Sequence, residues 1–335
     1  IDLYRTTFAN PGEEKTYYVW VRGIDALGNK GRWSEKVDDV TPSVTVDMKA
    51  PVSPENLRLA SDHIADMEGR LYTADATPKV KWNAVDDAAK YKVEIDGQDW
   101  IEILAPTVSY EFTEGLADGE HTVKVKAVDE LGNESAYSEP LTFIVDTTPP
   151  AQPGVPATGK SPTNNTQPSW TWAASAGAAK YNVYLDGALK WTDVPEPSEA
   201  DPFVVPEGEE LTEGIHYLEV TALDALDNES VKSGPGYVEI DTTKPSNPVL
   251  TLLTPSPTSE WPQSWSWTES SGADGYMVSA DGGAWEDIGN VRTYETWFKT
   301  SETYTFIVKA YDLAGNVSDE VVGNVVIDVT PPNVP

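Results

Sequence analysis

One short motif occurs four times along the chain and limits how the chain can fold. It has the form Asp-x-x-Gly-Asn, with Asp in place of Gly in the third copy, and it follows a run of alternating apolar residues. The copies begin at Asp25, Asp129, Asp224 and Asp312. Gly and Asn tolerate the positive φ of a tight hairpin turn, and an Asp side chain accepts hydrogen bonds from nearby backbone amides. Four copies of one strand-and-turn unit indicate an array of similar domains.

A second repeated segment divides the array. Residues 46–51, 145–150, 240–245 and 327–332 each combine an apolar residue, an Asp and one or two prolines. Proline fixes φ and pushes the residue before it into extended geometry, so we interpret these segments as semi-rigid joints. The joint Asp residues stand at positions 47, 146, 241 and 328, which gives steps of 99, 95 and 87 residues. Each step is the size of one small all-β domain.

The joints predict three full repeats, with one incomplete repeat before them and the start of a further joint after them. The predicted boundaries are 1–46 for an incomplete first repeat, 47–145, 146–240 and 241–327 for the second, third and fourth repeats, and 328–335 for the start of a further joint. Each full repeat carries a Trp on one strand and a Tyr nine positions later on the next: Trp82 and Tyr91, Trp172 and Tyr181, Trp267 and Tyr276. Such pairs are typical of the core of a two-sheet sandwich. We therefore predict an all-β fold of seven-stranded antiparallel β-sandwiches in tandem.

The first repeat lacks half of this pattern. It contains a strand at 17–24, the turn and a last strand near 36–46, but no Trp strand or Tyr strand precedes them. An open apolar face on Val19, Val21 and Gly23 requires an opposing sheet, and 46 residues are too few to fold without help. We expect the missing strands to come from upstream chain of the same polypeptide or from a neighbouring subunit of a fibre.

Charge and composition exclude several classes of function. Lys and Arg number 23 against 55 Asp and Glu, a formal net charge of −32, which argues against nucleic acid and anionic membrane surfaces as partners and favours cations. There is no Cys, so disulfides and thiolate metal sites are excluded. No apolar run approaches the roughly 18 residues needed to cross a bilayer, so we expect no membrane insertion in this segment.

The sequence offers no catalytic constellation. A nucleophile elbow, a phosphate-binding Gly loop and a metalloprotease helix are all missing, so we predict that the chain is not an enzyme. His63, His121 and His216 are its only histidines. His121 and His216 stand eight residues before a turn Asp, where Tyr17 and Tyr304 stand in the other repeats. We interpret them as rings packed at a corner of the sheet.

The order of the strands resembles the fibronectin type III domain. A Trp strand, a Tyr strand, a Gly-Leu corner at 115–119 and a final alternating strand follow one another as in that family. The joints and turns together resemble the immunoglobulin-like and fibronectin-like repeats of giant bacterial cell-surface adhesins and biofilm-associated proteins. The resemblance covers the three full repeats. It implies an extracellular location on a bacterial surface and a mainly architectural role.

Calcium is the one specific ligand that the sequence suggests. Carboxylates, Asn amides and backbone carbonyls suit this ion, and a turn Asp, a turn Asn and a joint Asp could converge near a domain boundary. In the adhesin repeats that the chain resembles, calcium commonly lies at such joints. The same residues are also ordinary for hairpin turns and strand ends, so both interpretations stay open. The candidate ligands are Asp129, Asn133 and Asp146, then Asp224, Asn228 and Asp241, then Asp312, Asn316 and Asp328.

Two insertions and one exposed aromatic pair distinguish the repeats. The insertions, at 61–70 in the second repeat and 191–213 in the third, are loop-like in composition, and loops of such scaffolds can carry function. Tyr18 and Trp20 alternate with the inward valines of the first repeat and are predicted to face outward. They suit a sugar platform, a protein contact or a surface covered by the missing half-domain.

Together these features predict a structural stalk or spacer segment of a long bacterial surface or filament protein, with a role in adhesion. Such a segment would hold something at a distance from the cell. The alternative is a module that binds a glycan or a protein through the insertions or the exposed aromatics, and a third is an accessory region of an enzyme. The expected partners are neighbouring repeats, subunits of a fibre, or a surface glycan or protein. Calcium is the only cofactor suggested.

Overall fold

The computed structural model of the chain describes residues 15–18, 24, 27–30, 43–98 and 101–331. Every regular element within these ranges is a β-strand, and the strands form small, mostly antiparallel sheets. The predicted all-β fold of tandem sandwiches is therefore confirmed. In the described ranges there is no helix of the length and apolarity that a bilayer crossing requires. The chain divides into two compact units, residues 1–148 with 226–228, and residues 149–225 with 229–335.

Little of the first repeat is described. Strands β1 (Lys15–Tyr18) and β2 (Ser43–Val46) pair antiparallel, and an isolated bridge joins Ile24 to Lys30 across the first turn. The inward face of Val19, Val21 and Gly23 lies outside the described residues, as do Trp20 and the side chain of Tyr18. The predictions for how this repeat is completed, and for its aromatic pair, stay predictions.

The second repeat contains nine strands. They are β3 (Arg58–Leu59), β4 (Ile64–Ala65), β5 (Leu71–Thr73), β6 (Lys79–Lys81), β7 (Lys90–Ile95), β8 (Ile101–Leu104), β9 (Ser109–Glu111), β10 (Gly119–Val128) and β11 (Leu141–Val145). One sheet has the order β3-β6-β9 and the other the order β4-β5-β11-β10-β7-β8.

The two additional strands come from the first insertion and the residues after it. β4 pairs antiparallel with β5, and β5 pairs parallel with the last strand of the repeat, so that Phe143 lies opposite Leu71. A segment predicted as a loop therefore extends the larger sheet. This pairing covers the edge of β11 with ladder hydrogen bonds, and an exposed edge would otherwise invite pairing with another chain.

The third and fourth repeats have the predicted seven strands each. The third consists of β12 (Ala157–Thr158), β13 (Ser169–Thr171), β14 (Lys180–Leu185), β15 (Ala188–Val194), β16 (Phe203–Val204), β17 (Gly214–Leu223) and β18 (Gly236–Ile240). The fourth consists of β19 (Leu250–Leu252), β20 (Gln263–Trp267), β21 (Gly275–Ala280), β22 (Glu286–Asp287), β23 (Thr293–Thr296), β24 (Thr303–Tyr311) and β25 (Val321–Val326). Each has a three-stranded and a four-stranded sheet, ordered β12-β13-β16 with β15-β14-β17-β18, and β19-β20-β23 with β22-β21-β24-β25.

Each full repeat has its own hydrophobic core, built around the predicted Trp and Tyr. All three pairs are buried and meet edge to face, with ring centroids 5.3, 5.5 and 5.7 Å apart in the second, third and fourth repeats. This is the geometry that aromatic quadrupoles favour. Inward residues such as Val123 and Val125 alternate with polar residues along β10, as expected for a sheet with one solvent-exposed face. The aromatic core prediction is confirmed. The exact domain boundaries stay a prediction.

Candidate functional site: the turns at the joints

The Asp-x-x-Gly-Asn motif forms a turn that is closed by its own Asp side chain. In the second repeat, Asp129 Oδ1 accepts hydrogen bonds from the backbone N–H groups of Leu131 and Asn133, at 2.9 and 2.8 Å. Its Oδ2 accepts a third from Asn133 Nδ2, at 2.8 Å. Gly132 has φ of 90°, a conformation that side chains with a Cβ rarely adopt. The motif thus provides a buried carboxylate with three N–H donors.

These hydrogen bonds also control the charge of the turn. Burial works to raise the pKa of Asp129, but the hydrogen bonds from Asn133, Leu131 and Gly132 outweigh it and hold the pKa below the ordinary value. The carboxylate therefore remains ionised as a strong acceptor. In the fourth repeat Asp312 accepts from the backbone N–H of Gly315 and Asn316 at 2.8 Å each, and from Asn316 Nδ2 at 3.0 Å.

The Asn of each turn makes a second hydrogen bond that reaches the joint. Its Nδ2 donates to the backbone carbonyl of a joint Asp, in three repeats and at nearly the same distance. The pairs are Asn133 with Asp47 at 3.0 Å, Asn228 with Asp146 at 2.9 Å, and Asn316 with Asp241 at 2.8 Å. One side-chain amide therefore connects the turn Asp to the joint in front of the repeat.

This arrangement corrects the predicted grouping of candidate calcium ligands. We expected Asp129 and Asn133 to lie with Asp146, but Gly119 pairs with Val145, so Asp146 lies beside the start of β10. Asp129 follows the other end of that strand. Ten strand residues at about 3.3 Å each separate the two ends by roughly 30 Å.

The same correction applies to the other two groups. Asp241 lies beside the start of β17 and Asp328 beside the start of β24, whereas Asp224 and Asp312 follow the ends of those strands. Each turn therefore faces the joint that precedes its repeat. The corrected groups are Asp47 with Asp129 and Asn133, and Asp241 with Asp312 and Asn316, while Asn228 donates to the Asp146 carbonyl.

The joint Asp side chains have protein partners of their own. Each accepts a hydrogen bond from a backbone N–H two residues later, as Asp241 does from Thr243 at 2.9 Å and Asp328 from Thr330 at 2.9 Å. Such Asx turns stiffen the proline-containing segment. Within the described ranges, no three His, Asp or Glu side chains are clustered closely enough to hold a metal ion. Calcium binding is untested by this geometry and stays a prediction.

The threonines of the joints bind back to a carboxylate of the preceding repeat. Thr147 and Thr148 donate hydroxyl hydrogen bonds to Asp118, and Thr242 and Thr243 donate theirs to Glu213, at 2.6 and 2.8 Å for the second pair. The hydrogen bonds from Thr148 and Thr147 lower the pKa of Asp118. Those from Thr242, by hydroxyl and backbone, and from Thr243 lower the pKa of Glu213. The start of each of these two joints is therefore hydrogen-bonded to the repeat that precedes it.

The joint between the third and fourth repeats, both within the second unit, has a further contact. The carbonyl of Ala314, in the turn of the fourth repeat, accepts from Asn164 N at 3.1 Å and from Lys160 Nζ at 3.1 Å. Ala314 is only 1% exposed. A Cβ on Gly315, whose φ is 102°, would lie 3.4 Å from Lys160 Nζ. The turn therefore packs against the third repeat, and its positive φ favours Gly at position 315, where a Cβ would make only ordinary contacts.

The histidines lie at the sheet corner where they were predicted. His121 Nε2 faces the carbonyl of Ala117 at 2.8 Å and its Nδ1 faces Asp96 Oδ2 at 2.7 Å. His216 repeats this with Thr212 and Asp186, and in the fourth repeat the Tyr304 hydroxyl pairs with Thr300 Oγ1. All three rings reach a residue four positions upstream, which is the tyrosine-corner arrangement of sandwich folds.

Sequence reasoning missed a serine that follows each turn. Ser135, Ser230 and Ser318, two residues after the turn Asn, accept through Oγ from the buried backbone N–H of an Ala in the preceding strand, at 2.9 Å in each repeat. The recurring Asn-x-Ser spacing was visible in the sequence. Its meaning was not, because a serine in a turn has many ordinary roles.

Comparisons with known proteins agree with this architecture. Residues 52–147 match the family model of the bacterial Ig-like domain. Exoglucanase B of Cellulomonas fimi is 28% identical over 338 residues, which is 93% of this chain and 29% of the enzyme. The chain thus spans less than a third of the length of this curated relative. The family match falls on the second repeat, one of the three full sandwiches in the described part of the chain.

Two solved structures of bacterial proteins are similar to parts of the chain at low identity. One is a 1.5-MDa bacterial ice-binding adhesin, 15% identical, covering 83% of this chain and 100% of that one, with a TM-score of 0.36. The other is the fibronectin(III)-like modules of Clostridium thermocellum CbhA, 15% identical, covering 55% and 94% respectively, with a TM-score of 0.35. At these scores the likeness carries no conclusion about function.

Proposed function

We propose that this chain is a spacer segment of a longer bacterial protein that acts outside the cell, and that it holds other parts of that protein at a set distance. The observation that supports this most is the joint hydrogen bond from a turn Asn to the preceding joint Asp, found in three repeats. A spacer needs defined angles between successive modules. A side-chain hydrogen bond at each of these three joints supplies such a restraint together with the prolines.

The hydrogen bonds on the two sides of a joint support the same role. At the joint that begins with Asp241, Glu213 of the third repeat holds Thr242 and Thr243, while Asn316 of the fourth repeat holds the Asp241 carbonyl. The joint is bound to both of its neighbours. We further propose that the parent protein is a surface adhesin, because the repeat pattern of the sequence resembles that of adhesins.

Small-angle X-ray scattering tests the proposal. The intact chain should give a narrow distribution of interatomic distances at about 0.15 M salt, where repulsion between exposed charges is screened beyond roughly 8 Å. The triple variant N133A/N228A/N316A removes the three joint hydrogen bonds and should broaden the distribution of interatomic distances. N324A, at an exposed position away from the joints, is the control and should leave the profile unchanged. A flexible wild-type profile identical to that of the triple variant would refute the spacer role.

A second candidate function is an accessory region of a polysaccharide-degrading enzyme. The match of 93% of this chain to a stretch of Exoglucanase B favours it. In that case the modules would separate a catalytic module from the rest of the enzyme, and the spacer mechanics would be the same. The full sequence of the parent polypeptide decides between the two. A glycoside hydrolase module in it would support the accessory role, and a parent made of repeats and a cell-surface anchor would refute it.

A further inference from the structure

The outer face of the four-stranded sheet in the third repeat carries an unusual group of apolar side chains. Tyr217 on β17 and Tyr237 on β18 are directly opposite each other in the ladder, so they lie on the same face. Their exposed fractions are 49% and 59%. Ile215, two residues before Tyr217 and therefore on the same face, is 54% exposed. We call these three residues the tyrosine face.

The backbone beneath the tyrosine face is firmly held. β17 lies between β14 and β18 in the sheet. The N–H of Tyr217 donates to Asp186 Oδ1 at 2.8 Å, and its carbonyl accepts from Asp186 N at 2.8 Å. The preceding residue, His216, is fixed by its corner hydrogen bonds. Binding to a face that is already ordered loses little conformational entropy.

The two sister repeats show that the fold does not require these tyrosines. The pair at the same place in the second repeat is Thr122 and Thr142, whose hydroxyls lie 3.4 Å apart. In the fourth repeat the pair is Thr305 and Asn324. The same sheet therefore forms with two polar side chains at this position. Among the three full repeats, the third is the one with two exposed aromatic rings at this position, which indicates a contact surface rather than a structural need.

We propose that the tyrosine face binds a neutral polysaccharide with a flat, extended backbone. Adjacent aromatic rings on a sheet offer electron-rich faces to the C–H groups on the faces of sugar rings. Glu239, exposed and opposite Ile215 in the ladder, supplies a carboxylate that accepts hydrogen bonds from sugar hydroxyls. Glu219, two residues after Tyr217, already accepts from Lys232 Nζ at 3.2 Å. Side chains on two adjacent strands form a broad surface, which suits an extended sugar chain rather than the end of one.

Charge and area favour this ligand over the other candidates. The formal net charge of −32 and the neighbouring Glu239 carboxylate oppose an anionic polymer. A stable protein interface buries about 800 Å² on each partner and involves roughly 20–30 residues a side. Three side chains, with each aromatic contributing about 150–250 Å², fall short of that area. A few sugar rings match it. This proposal does not depend on the spacer role.

The test is a depletion assay of the full chain on microcrystalline cellulose, a neutral polysaccharide with flat chains. Wild type should bind, and Y217T/Y237T, which copies the Thr pair of the second repeat, should bind at least tenfold more weakly while keeping the wild-type circular dichroism. W297T removes an exposed Trp from the fourth repeat and should bind as wild type does. Adding T122Y/T142Y to Y217T/Y237T should restore binding from the second repeat.

Three outcomes would overturn the proposal. The first is no binding of wild type to cellulose, nor to chitin or starch granules offered in the same assay. The second is equal binding by wild type and Y217T/Y237T. The third is a wild-type dimer that becomes a monomer in Y217T/Y237T during equilibrium sedimentation, because this would assign the tyrosine face to a second copy of the chain.

Discussion

The hydroxyl oxygen of Tyr181 accepts a hydrogen bond from the backbone N–H of Ser175, six residues earlier and 2.9 Å away. Tyr91 does the same with Val85 and Tyr276 with Ser270, also at 2.9 Å. The hydrogen bond holds the loop between the Trp strand and the Tyr strand at one length. This explains the constant step of nine residues from Trp to Tyr, because a longer or shorter loop would leave a buried N–H without its acceptor.

Removing that hydroxyl tests the explanation. Y181F keeps the buried ring but leaves Ser175 N–H unsatisfied, and we expect it to destabilise the third repeat by about 1–3 kcal/mol. Native-state amide exchange gives the free energy for amides of one repeat in a chain of several. Y237F, at a position 59% exposed, is the control and should change stability by less than about 0.5 kcal/mol. Equal effects of the two variants would argue against this role for Tyr181.

Truncating the core Trp should have a larger effect. Trp172 is 6% exposed and packs edge to face on Tyr181. We expect W172A to cost the third repeat about 3–5 kcal/mol, because it removes buried area and leaves a cavity. The same exchange measurement checks it, with W297A, at a position 58% exposed, as the control. A loss below about 1 kcal/mol would show that Trp172 contributes little to the core.

The corner histidine of the second repeat should make stability depend on pH. Burial of the ring works against its charge, but the hydrogen bonds to Ala117 O and Asp96 outweigh this and raise the pKa of His121 above its usual value. A raised pKa in the folded state stabilises the fold at low pH. We expect this contribution to be complete below about pH 6.5, the unfolded value, and to be lost as the pH rises through the folded value.

An NMR titration of the three histidines checks this directly. The pKa of His121 should lie above 6.5, and D96N should lower it by removing the carboxylate partner. Stability of the second repeat, from amide exchange, should fall above that pH in wild type and stay level in H121Y, which copies Tyr304 of the fourth repeat. A His121 pKa at or below 6.5 would contradict the claim that Ala117 and Asp96 stabilise the charged form of the ring.

The calcium prediction can now be tested with the corrected groups. If Asp241, Asp312 and Asn316 share an ion, millimolar calcium should raise the melting temperature of the fourth repeat, since extracellular modules bind in the range of about 10⁻⁴–10⁻³ M. D312N should abolish the response. D328N should preserve it, because Asp328 lies beside the opposite end of β24. Identical melting curves with calcium and with a chelator would rule the site out.

The fold was predictable from the sequence because it depends on local signals. Three signals are each contained within one repeat. They are the alternation of apolar and polar residues along the strands, the Trp and Tyr pair such as Trp82 and Tyr91, and the Gly at the turn. The extra strands β4 and β5 were not predictable, because Ile64, Ala65 and Leu71 form a strand pair only through the neighbouring edge of β11. Such pairing depends on tertiary context rather than on propensity.

The sequence pattern predicts that each turn lies beside the joint that follows its repeat, whereas the turn lies beside the joint that precedes it. The missing step was a count of strand directions. In a sandwich of seven strands that alternate in direction, the turn between the sixth and seventh strands lies at the end where the first strand begins. Asn316 therefore meets Asp241, the joint before its repeat, and Asp328 lies at the other end. Nearness in sequence had suggested the reverse.

The central claim is that the turn Asn restrains its joint, and a spin-label distance measurement between the third and fourth repeats tests it most directly. The chain has no Cys, so T192C and T251C, both at exposed positions, place one label on each repeat. We predict a single narrow distance distribution for the labelled wild type and for N324A, and a clearly broader one for N316A. A wild-type distribution as broad as that of N316A would contradict the claim.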